Sequence, residues 1–230
     1  MSKVLVLVAC VCGVAQDRPE FADGRRARDR ADVGALQELI ENARQAGSIA
    51  KTQQRLAQLN FYLCEAAYVE GKNDLIKGAA EEGLAAAEKA AAIDPSLSEA
   101  HRLQSDLAAM LITLVPDGVA KYGARTSVEA QKALELDPKS ANALISRGLG
   151  YFYTPEQYGG NKEKALELLK KAAELVPAYD TPHLILAQFY LASDKKEDAV
   201  REIDEALRLD PERRFSRNTR AAIVSAKTGK

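Results

Sequence analysis

The stretch DTPHLILAQFYLASDKKEDAVREIDEALRLDP, residues 180–211, contains two helix-forming patterns separated by a short polar segment. In both halves apolar residues recur three and four positions apart, which is typical of amphipathic helices. Small residues at Ala187, Ala199 and Ala206 allow two antiparallel helices to pack closely. Pro211 ends the second helix, because proline cannot continue the backbone hydrogen bonding. The stretch therefore predicts a pair of antiparallel helices.

Four segments that each end at a proline indicate that this helix pair recurs along the chain. They align without gaps as AEKAAAIDP (87–95), AQKALELDP (130–138), LKKAAELVP (169–177) and IDEALRLDP (203–211). The prolines are separated by 43, 39 and 34 residues. Self-similarity with a spacing of this size is the signature of a repeat array. We therefore predict an all-α chain built from stacked helix pairs.

The residues of 180–211 resemble a tetratricopeptide repeat, whose length is 34 residues. The resemblance covers 141–211 closely and 50–138 more loosely. It implies a tetratricopeptide-like α-α superhelix of about four helix pairs with capping helices at both ends, over residues 31–227. The best repeats are 141–177 and 180–211. The residues that match the family's Leu, small residue, Tyr, Ala, Ala and Pro are Leu186, Ala187, Tyr190, Ala199, Ala206 and Pro211.

The two ends of the array have their own patterns. DVGALQELIENARQAG (32–47) is amphipathic and predicts an N-terminal capping helix. RRFSRNTRAAIVSAK (213–227) predicts a closing helix. Residues 16–30 carry mixed charges and predict a charged lead-in, either flexible or an early helical turn.

Side chains at the predicted helix starts suggest local caps. In 180–211, Thr181 can cap the first helix, with Pro182 at its first position. Asp194 and Glu197 can form a capping box at the start of the second helix.

The preceding unit, 141–177, contains an inserted loop, TPEQYGG, at 154–160. The loop accounts for the five residues by which this unit exceeds the 34-residue period. Pro155 ends the first helix, the Gly-Gly pair permits a turn with positive φ, and Asn161 can cap the next helix. The sequence GGNKEKA does not fit the phosphate-loop pattern and no strand precedes it, so a connector is favoured over a phosphate site.

The resemblance also implies where a partner binds, because the first helix of each tetratricopeptide repeat lines the concave side of the array. The family's clamp for peptide C-termini needs Lys, Arg and Asn there, whereas this chain supplies chiefly apolar residues, so that clamp is not predicted. The main prediction is a protein or peptide partner in an apolar groove. Two alternatives are a hydrophobic small molecule in the groove, and a groove filled by the closing helix or the long connectors.

The residues at these predicted positions fall into three groups. The concave-face candidates are Asn142, Ile145, Leu149, Phe152, Tyr153, Leu184, Gln188 and Leu191. The loop candidates beside them are Tyr158, Gly159 and Gly160. The inner positions of the preceding unit are Glu99, Arg102, Asp106 and Met110.

Patterns that indicate catalysis are absent from the sequence. His101 and His183 each lie six residues after a proline, at the same position of their repeats, which favours packing over a shared metal site. Nucleophile-elbow, zinc-protease and nucleotide-binding motifs are missing. Basic and acidic residues number 32 and 33, so no net field favours nucleic acid. We predict a non-enzymatic protein without cofactor, metal or nucleic-acid partner.

Residues 1–15, MSKVLVLVACVCGVA, predict a secretory signal peptide, because one lysine precedes a short apolar run and small residues. Cleavage before Gln16 implies a secreted or periplasmic location without a transmembrane span. LVAC at 7–10 also resembles a bacterial lipoprotein box, and in that alternative Cys10 carries a lipid anchor. After cleavage only Cys64 remains, in an apolar helical run that predicts a buried structural cysteine.

A second, weaker resemblance gives an alternative function. The secretion signal and long connectors are similar to those of the periplasmic T-component of TRAP transporters, a helical-repeat protein with an apolar cleft. That resemblance implies a ligand-binding subunit that holds a hydrophobic small molecule.

Overall fold

The structure of the protein is a computed structural model that describes residues 19–226, so the predicted signal peptide and Cys10 lie outside the described residues. Between residues 19 and 226 the chain forms α-helices and one 3₁₀ turn, Glu156–Tyr158, and no strand. The all-α prediction is confirmed. The helices are α1 (Pro19–Asp29), α2 (Val33–Gln45), α3 (Ala50–Val69), α4 (Asn73–Ile93), α5 (Ser98–Leu114), α6 (Gly118–Leu136), α7 (Ala141–Tyr153), α8 (Lys162–Leu175), α9 (Asp180–Ala192), α10 (Lys196–Leu209) and α11 (Arg214–Ser225).

Four helix pairs form the body of the array, as predicted. Helix α3 packs against α4, α5 against α6, α7 against α8, and α9 against α10. The first helices of successive pairs also contact one another, so α3, α5, α7 and α9 form an inner layer. At the N-terminal end α1 and α2 pack on α3, and at the C-terminal end α11 packs on α10. Within the described residues, no helix has the length and apolar character that crossing a bilayer requires.

Small residues set the close approach within each pair. Ala187, Ala199 and Ala206 are fully buried between α9 and α10. In the preceding pair, a Cβ at Gly148 of α7 would lie 3.3 Å from the carbonyl oxygen of Ala165 in α8. A larger side chain at these positions would push the helices apart, because protein cores are close-packed. The small residues of the repeat pattern therefore determine the spacing of the helices.

Residues 19–29, predicted as part of a charged lead-in, form the three-turn helix α1 against α3. Ala27 and Ala31 contribute to the hydrophobic core, which explains why this end is ordered. Arg28 is 2% exposed and forms an ion pair with Asp29. The mixed charges of the segment therefore include a pair that is buried inside the fold rather than solvated.

A buried ionic cluster connects the two ends of the array, and α11 contacts both α3 and α9. Arg213, 0% exposed, donates from Nε to Glu65 Oε1 at 3.0 Å and from Nη2 to Glu65 Oε2 at 2.7 Å. Its Nη1 donates to Asp180 Oδ2 at 2.6 Å and to Thr181 Oγ1 at 2.7 Å. Arg28 Nε lies 3.9 Å from Glu65 Oε1. We call Arg28, Glu65, Asp180, Thr181 and Arg213 the closing cluster.

The electrostatics of the closing cluster favour its charged form. Burial alone would lower the pKa of Arg213, but the carboxylates of Glu65 and Asp180 raise it above the ordinary arginine value. Burial opposes ionisation of Asp180, and the charge of Arg213 outweighs this and lowers the pKa of that carboxyl. The cluster is therefore an ionised set of mutually dependent groups.

A second buried charge cluster lies on the inner layer at α5. Arg102, which is 0% exposed, donates to Asp106 Oδ2 at 2.6 Å and to Gln58 Oε1 at 2.7 Å. Its guanidinium also lies 5.3 Å from the centroid of the Phe61 ring. Burial raises the pKa of Asp106 to about 6 in spite of the opposing charge of Arg102. The charged form of Asp106 therefore costs the folded state free energy near neutral pH.

We expect the substitution Asp106→Asn to become less destabilising, or more stabilising, as the pH rises. The folded-state pKa of about 6 exceeds the reference value of 3.8, so the folded protein loses stability as the pH rises through this interval. Asparagine cannot ionise, so the stability of the variant relative to the parent should increase by on the order of 3 kcal/mol from about pH 4 to about pH 7. Urea unfolding of both proteins at several pH values measures this, and a pH-independent difference would contradict it.

Candidate functional site

The structure divides the concave-face candidates into a buried and an accessible group. The buried group lies in the N-terminal halves of α7 and α9, and the accessible group lies at their C-terminal ends. Because a ligand cannot contact a fully buried side chain, only the second group presents a surface to a partner. The buried residues are Asn142, Ile145, Leu149 and Leu184. The partly or largely exposed residues are Phe152, Tyr153, Gln188 and Leu191. The binding role of all eight remains a prediction.

Part of the inner layer is covered by the closing helix, one of the alternatives considered from the sequence. Helix α11 contacts α3 and α9, and its Phe215 and Ile223 are buried in the C-terminal core. The ring of Phe215 meets that of Tyr68 in α3 edge to face, with 5.9 Å between centroids. The inner positions Arg102, Asp106 and Met110 of α5 are also buried.

The accessible end of the groove is built on contacting aromatic rings. The centroid of Phe152 in α7 lies 4.9 Å from that of Tyr153 and 4.7 Å from that of Phe189 in α9. Phe189 lies 5.8 Å from Tyr190, and both are buried in the core. The buried rings hold the outer rings in place, because packed aromatic pairs have preferred geometries.

Tyr153 is the exposed member of this group. It is 40% exposed, yet burial raises its pKa to about 12. Its hydroxyl therefore stays neutral near neutral pH and can donate a hydrogen bond to a partner.

The loop between α7 and α8 is held by its own backbone. The amides of Tyr158 and Gly160 donate to the Pro155 carbonyl at 2.8 and 3.1 Å, and the Asn161 amide donates to the Tyr151 carbonyl at 2.9 Å. The Asn161 side chain caps α8 by accepting from the Lys164 amide at 2.8 Å, as predicted. These bonds make the loop a defined connector rather than a free strap.

The two glycines of the loop have different roles. Gly159 adopts φ +94°, the left-handed conformation that the sequence predicted. Gly160 does not have a positive φ, and it is needed instead because an added Cβ would lie 1.7 Å from the Thr154 carbonyl oxygen. Tyr158, directly before this pair, is 75% exposed. The loop thus presents one large aromatic side chain to solvent from a tight turn.

Two residues that sequence reasoning missed support the loop from below. The guanidinium of Arg147 lies 3.9 Å from the centroid of the Tyr151 ring, and Lys164 Nζ lies 5.7 Å from it. Arg147 also donates to Gln131 in α6 at 3.0 Å, which anchors the stack to the preceding pair. The i, i+4 spacing of Arg147 and Tyr151 on one helix was the available signal.

The histidines and the cysteine have structural environments. His101 Nδ1 lies 2.6 Å from Glu129 Oε2 and His183 Nδ1 lies 2.8 Å from Glu202 Oε2, in each case across one helix pair. Both glutamates lie nine residues before the proline that ends their unit, so the same pair occurs twice. Among residues 19–226 no group of His, Cys, Asp and Glu could hold a metal ion. Cys64 is buried as predicted, and burial raises the pKa of its thiol to about 12.

Comparison with known proteins agrees with this geometry. Residues 160–221, from the end of the loop into α11, match the model of the tetratricopeptide repeat family. The repeats of this chain are tetratricopeptide repeats. No curated protein matches the sequence.

Solved tetratricopeptide structures show the same fold. The crystal structure of a thermophilic TPR protein in Thermus thermophilus is similar over 90% of this chain and 100% of that chain, with a TM-score of 0.62 and 18% identity. At this identity the likeness shows the fold alone. Two further crystal structures give lower TM-scores. They are YrrB, a TPR protein with an unusual peptide-binding site, at 0.45, 14% identity and coverage of 88% and 99%, and MamA at 0.42, 17% identity and coverage of 82% and 95%.

The other sequence-based alternatives gain nothing from these comparisons. The resemblance to the T-component of TRAP transporters, the hydrophobic ligand and the lipid anchor at Cys10 are not supported.

Proposed function

We propose that this tetratricopeptide array is a non-enzymatic protein that binds a protein or peptide partner through the accessible end of its inner groove. The observation that carries the proposal is the set of exposed residues at the C-terminal ends of α7 and α9 and in the adjoining loop. We call this set the aromatic surface. It consists of Phe152, Tyr153, Tyr158, Gln188 and Leu191.

The chemistry of the aromatic surface suits a polypeptide partner. Tyrosine offers a large apolar area together with a polar tip, and it loses little conformational entropy on binding, which explains its enrichment at protein interfaces. Tyr153 and Tyr158 are 40% and 75% exposed, so their rings gain burial when a partner docks. The amide of Gln188 lies on the same end of α9 and can bond to a peptide backbone.

Replacing both exposed tyrosines should weaken partner binding. We expect Tyr153→Ala combined with Tyr158→Ala to reduce affinity at least about tenfold, because each buried aromatic contact contributes on the order of 1 kcal/mol. Affinity purification from the host's fractions with quantitative mass spectrometry identifies the partner. Titration of the purified partner then measures the affinity.

A matched control uses two exposed apolar residues elsewhere. Val119 and Val128 in α6 are 71% and 61% exposed and lie outside the aromatic surface. The double variant Val119→Ala, Val128→Ala should bind like the parent, and circular dichroism should show unchanged helicity in all three proteins. Equal binding by the tyrosine variant would place the partner on another surface.

We further propose that the chain is exported. The support is the sequence of residues 1–15, where an apolar run follows a lysine and precedes small residues. Native mass spectrometry on protein from the host's envelope fraction should give a mass that begins at Gln16. A chain with an intact Met1 in the cytosolic fraction would contradict export and would leave the binding proposal unaffected.

A further inference from the structure

A cleft of about 410 Å³ lies between α2, α3 and α4, and none of its lining residues belongs to the aromatic surface. Ile40, Leu63, Leu75 and Ala79 give it apolar walls. Gly78 also lines the cleft, and a Cβ added there would meet no atom within 4 Å. The cleft thus has open space beside an apolar lining, which suits a flexible side chain of moderate length.

Asn60 contributes an unused hydrogen-bond acceptor to this cleft. Its side chain is fully buried, and Nδ2 donates to the Leu56 carbonyl at 3.1 Å. Among the described residues, the amide oxygen Oδ1 has no hydrogen-bond partner. Buried polar atoms are nearly always paired, so an acceptor without a partner beside open space indicates a donor supplied from outside the chain.

The rim of the cleft carries an excess of negative charge. Glu82 is paired with Arg44, whose Nε lies 2.7 Å from Glu82 Oε1. Asp74, in the first turn of α4, is exposed and has no ion-pair partner in the part of the chain that the structure describes. The three charges that line the cleft therefore sum to minus one, which attracts a cation.

We infer that this cleft receives a lysine side chain of a partner protein. The apolar walls cover the methylene chain of lysine, while its ammonium group supplies the donor that Asn60 Oδ1 lacks and the charge that Asp74 attracts. Lysine fits better than arginine because a single amide oxygen matches a compact ammonium group. A guanidinium favours a planar carboxylate, and the carboxylate of Glu82 is already occupied by Arg44.

The test uses three blocked pentapeptides with one central residue, lysine, norleucine or arginine, between alanines. Each is titrated into the isotope-labelled full chain and followed by amide NMR shifts. We expect the lysine peptide to shift amides of α2, α3 and α4 around Asn60 and Gly78, and to bind at least tenfold more tightly than the norleucine peptide. Equal binding of lysine and norleucine peptides, or stronger binding of the arginine peptide, would overturn the inference.

Three variants separate the cleft from general stability. Gly78→Leu should abolish lysine-peptide binding by filling the cleft, and it should not unfold α4, because leucine has the higher helix propensity. Gly78→Ala improves the helix in the same way but fills little space, and should bind like the parent. Asn60→Leu keeps the volume, removes the acceptor, and should weaken lysine-peptide binding at least tenfold. Parent-like binding by Gly78→Leu would overturn the inference, whatever the tyrosine variants show.

Discussion

Replacing Arg213 by alanine is expected to lower the unfolding free energy by about 3–5 kcal/mol. The substitution removes the cation that Glu65 and Asp180 share in the closing cluster, where both carboxylates are nearly inaccessible to solvent. Arg28 stays 3.9 Å from Glu65, but it is already paired with Asp29. An unpaired buried carboxylate is costly, so the loss exceeds the net value of the original pair.

Urea unfolding with a matched control tests this prediction. Arg214 is the next residue and forms an ion pair with Glu70, but its side chain is 45% exposed. Arg214→Ala should therefore change stability by only about 0–1 kcal/mol, as is usual for surface pairs. A loss in the Arg213 variant no larger than that in the Arg214 variant would show that the closing cluster is not a strong connection.

The second large effect is expected for Gly160→Ala, at about 3 kcal/mol of lost stability, the upper end for overpacking. The new Cβ would lie 1.7 Å from the Thr154 carbonyl oxygen and 3.0 Å from the carbonyl carbon of Pro155. These are backbone atoms, so relief requires the loop itself to move. That movement breaks the bond from the Asn161 amide to the Tyr151 carbonyl and displaces Tyr158.

Hydrogen exchange localises this effect, and chemical unfolding gives its size. The amides of Tyr158, Gly160 and Asn161 should exchange faster in the variant. Gly150→Ala is the control, since its Cβ would only reach 3.7 Å from Arg147 Nη1 and alanine favours the helix. We expect that control to stay within about 1 kcal/mol of the parent. If the two glycine variants are equally stable, the loop is not as tight as the structure indicates.

The fold was predictable because its determinants repeat along the sequence. The prolines after the second helices and the small residues such as Ala199 and Ala206 occur at fixed positions in each unit, and both helix pairing and spacing follow from them. The Asn161 cap was predictable for a similar reason, since its partner lies three residues away. Features that depend on near neighbours or on the period therefore agree with the structure.

Two local predictions were wrong, because other contacts decide these positions. Helix α9 begins at Asp180 rather than after Thr181, and the Thr181 hydroxyl accepts from Arg213 instead of capping the helix. Helix α10 begins after Lys195, and Asp194 adopts φ +56° without a capping bond to the helix. The first case involves a residue 32 positions away in the chain, which a local pattern cannot reveal.

The candidate site was predictable only in part. The family register identified the face on which Leu184 and Tyr153 lie, but it could not show that Leu184 is buried and Tyr153 exposed. What covers the inner layer depends on α11, whose Arg213 bonds to a glutamate 148 residues earlier. A contact of that separation leaves no trace in the period of the repeats.

The connection between α3, α9 and α11 has a consequence for how the protein unfolds. A linear repeat array is stabilised mainly by contacts between neighbours, so it can lose its terminal repeat while the rest persists. Here release of α11 also strips Glu65 in α3 of its partner, near the opposite end. The two ends should therefore melt together, and the chain should unfold as one cooperative unit, with no stepwise fraying of its last repeat.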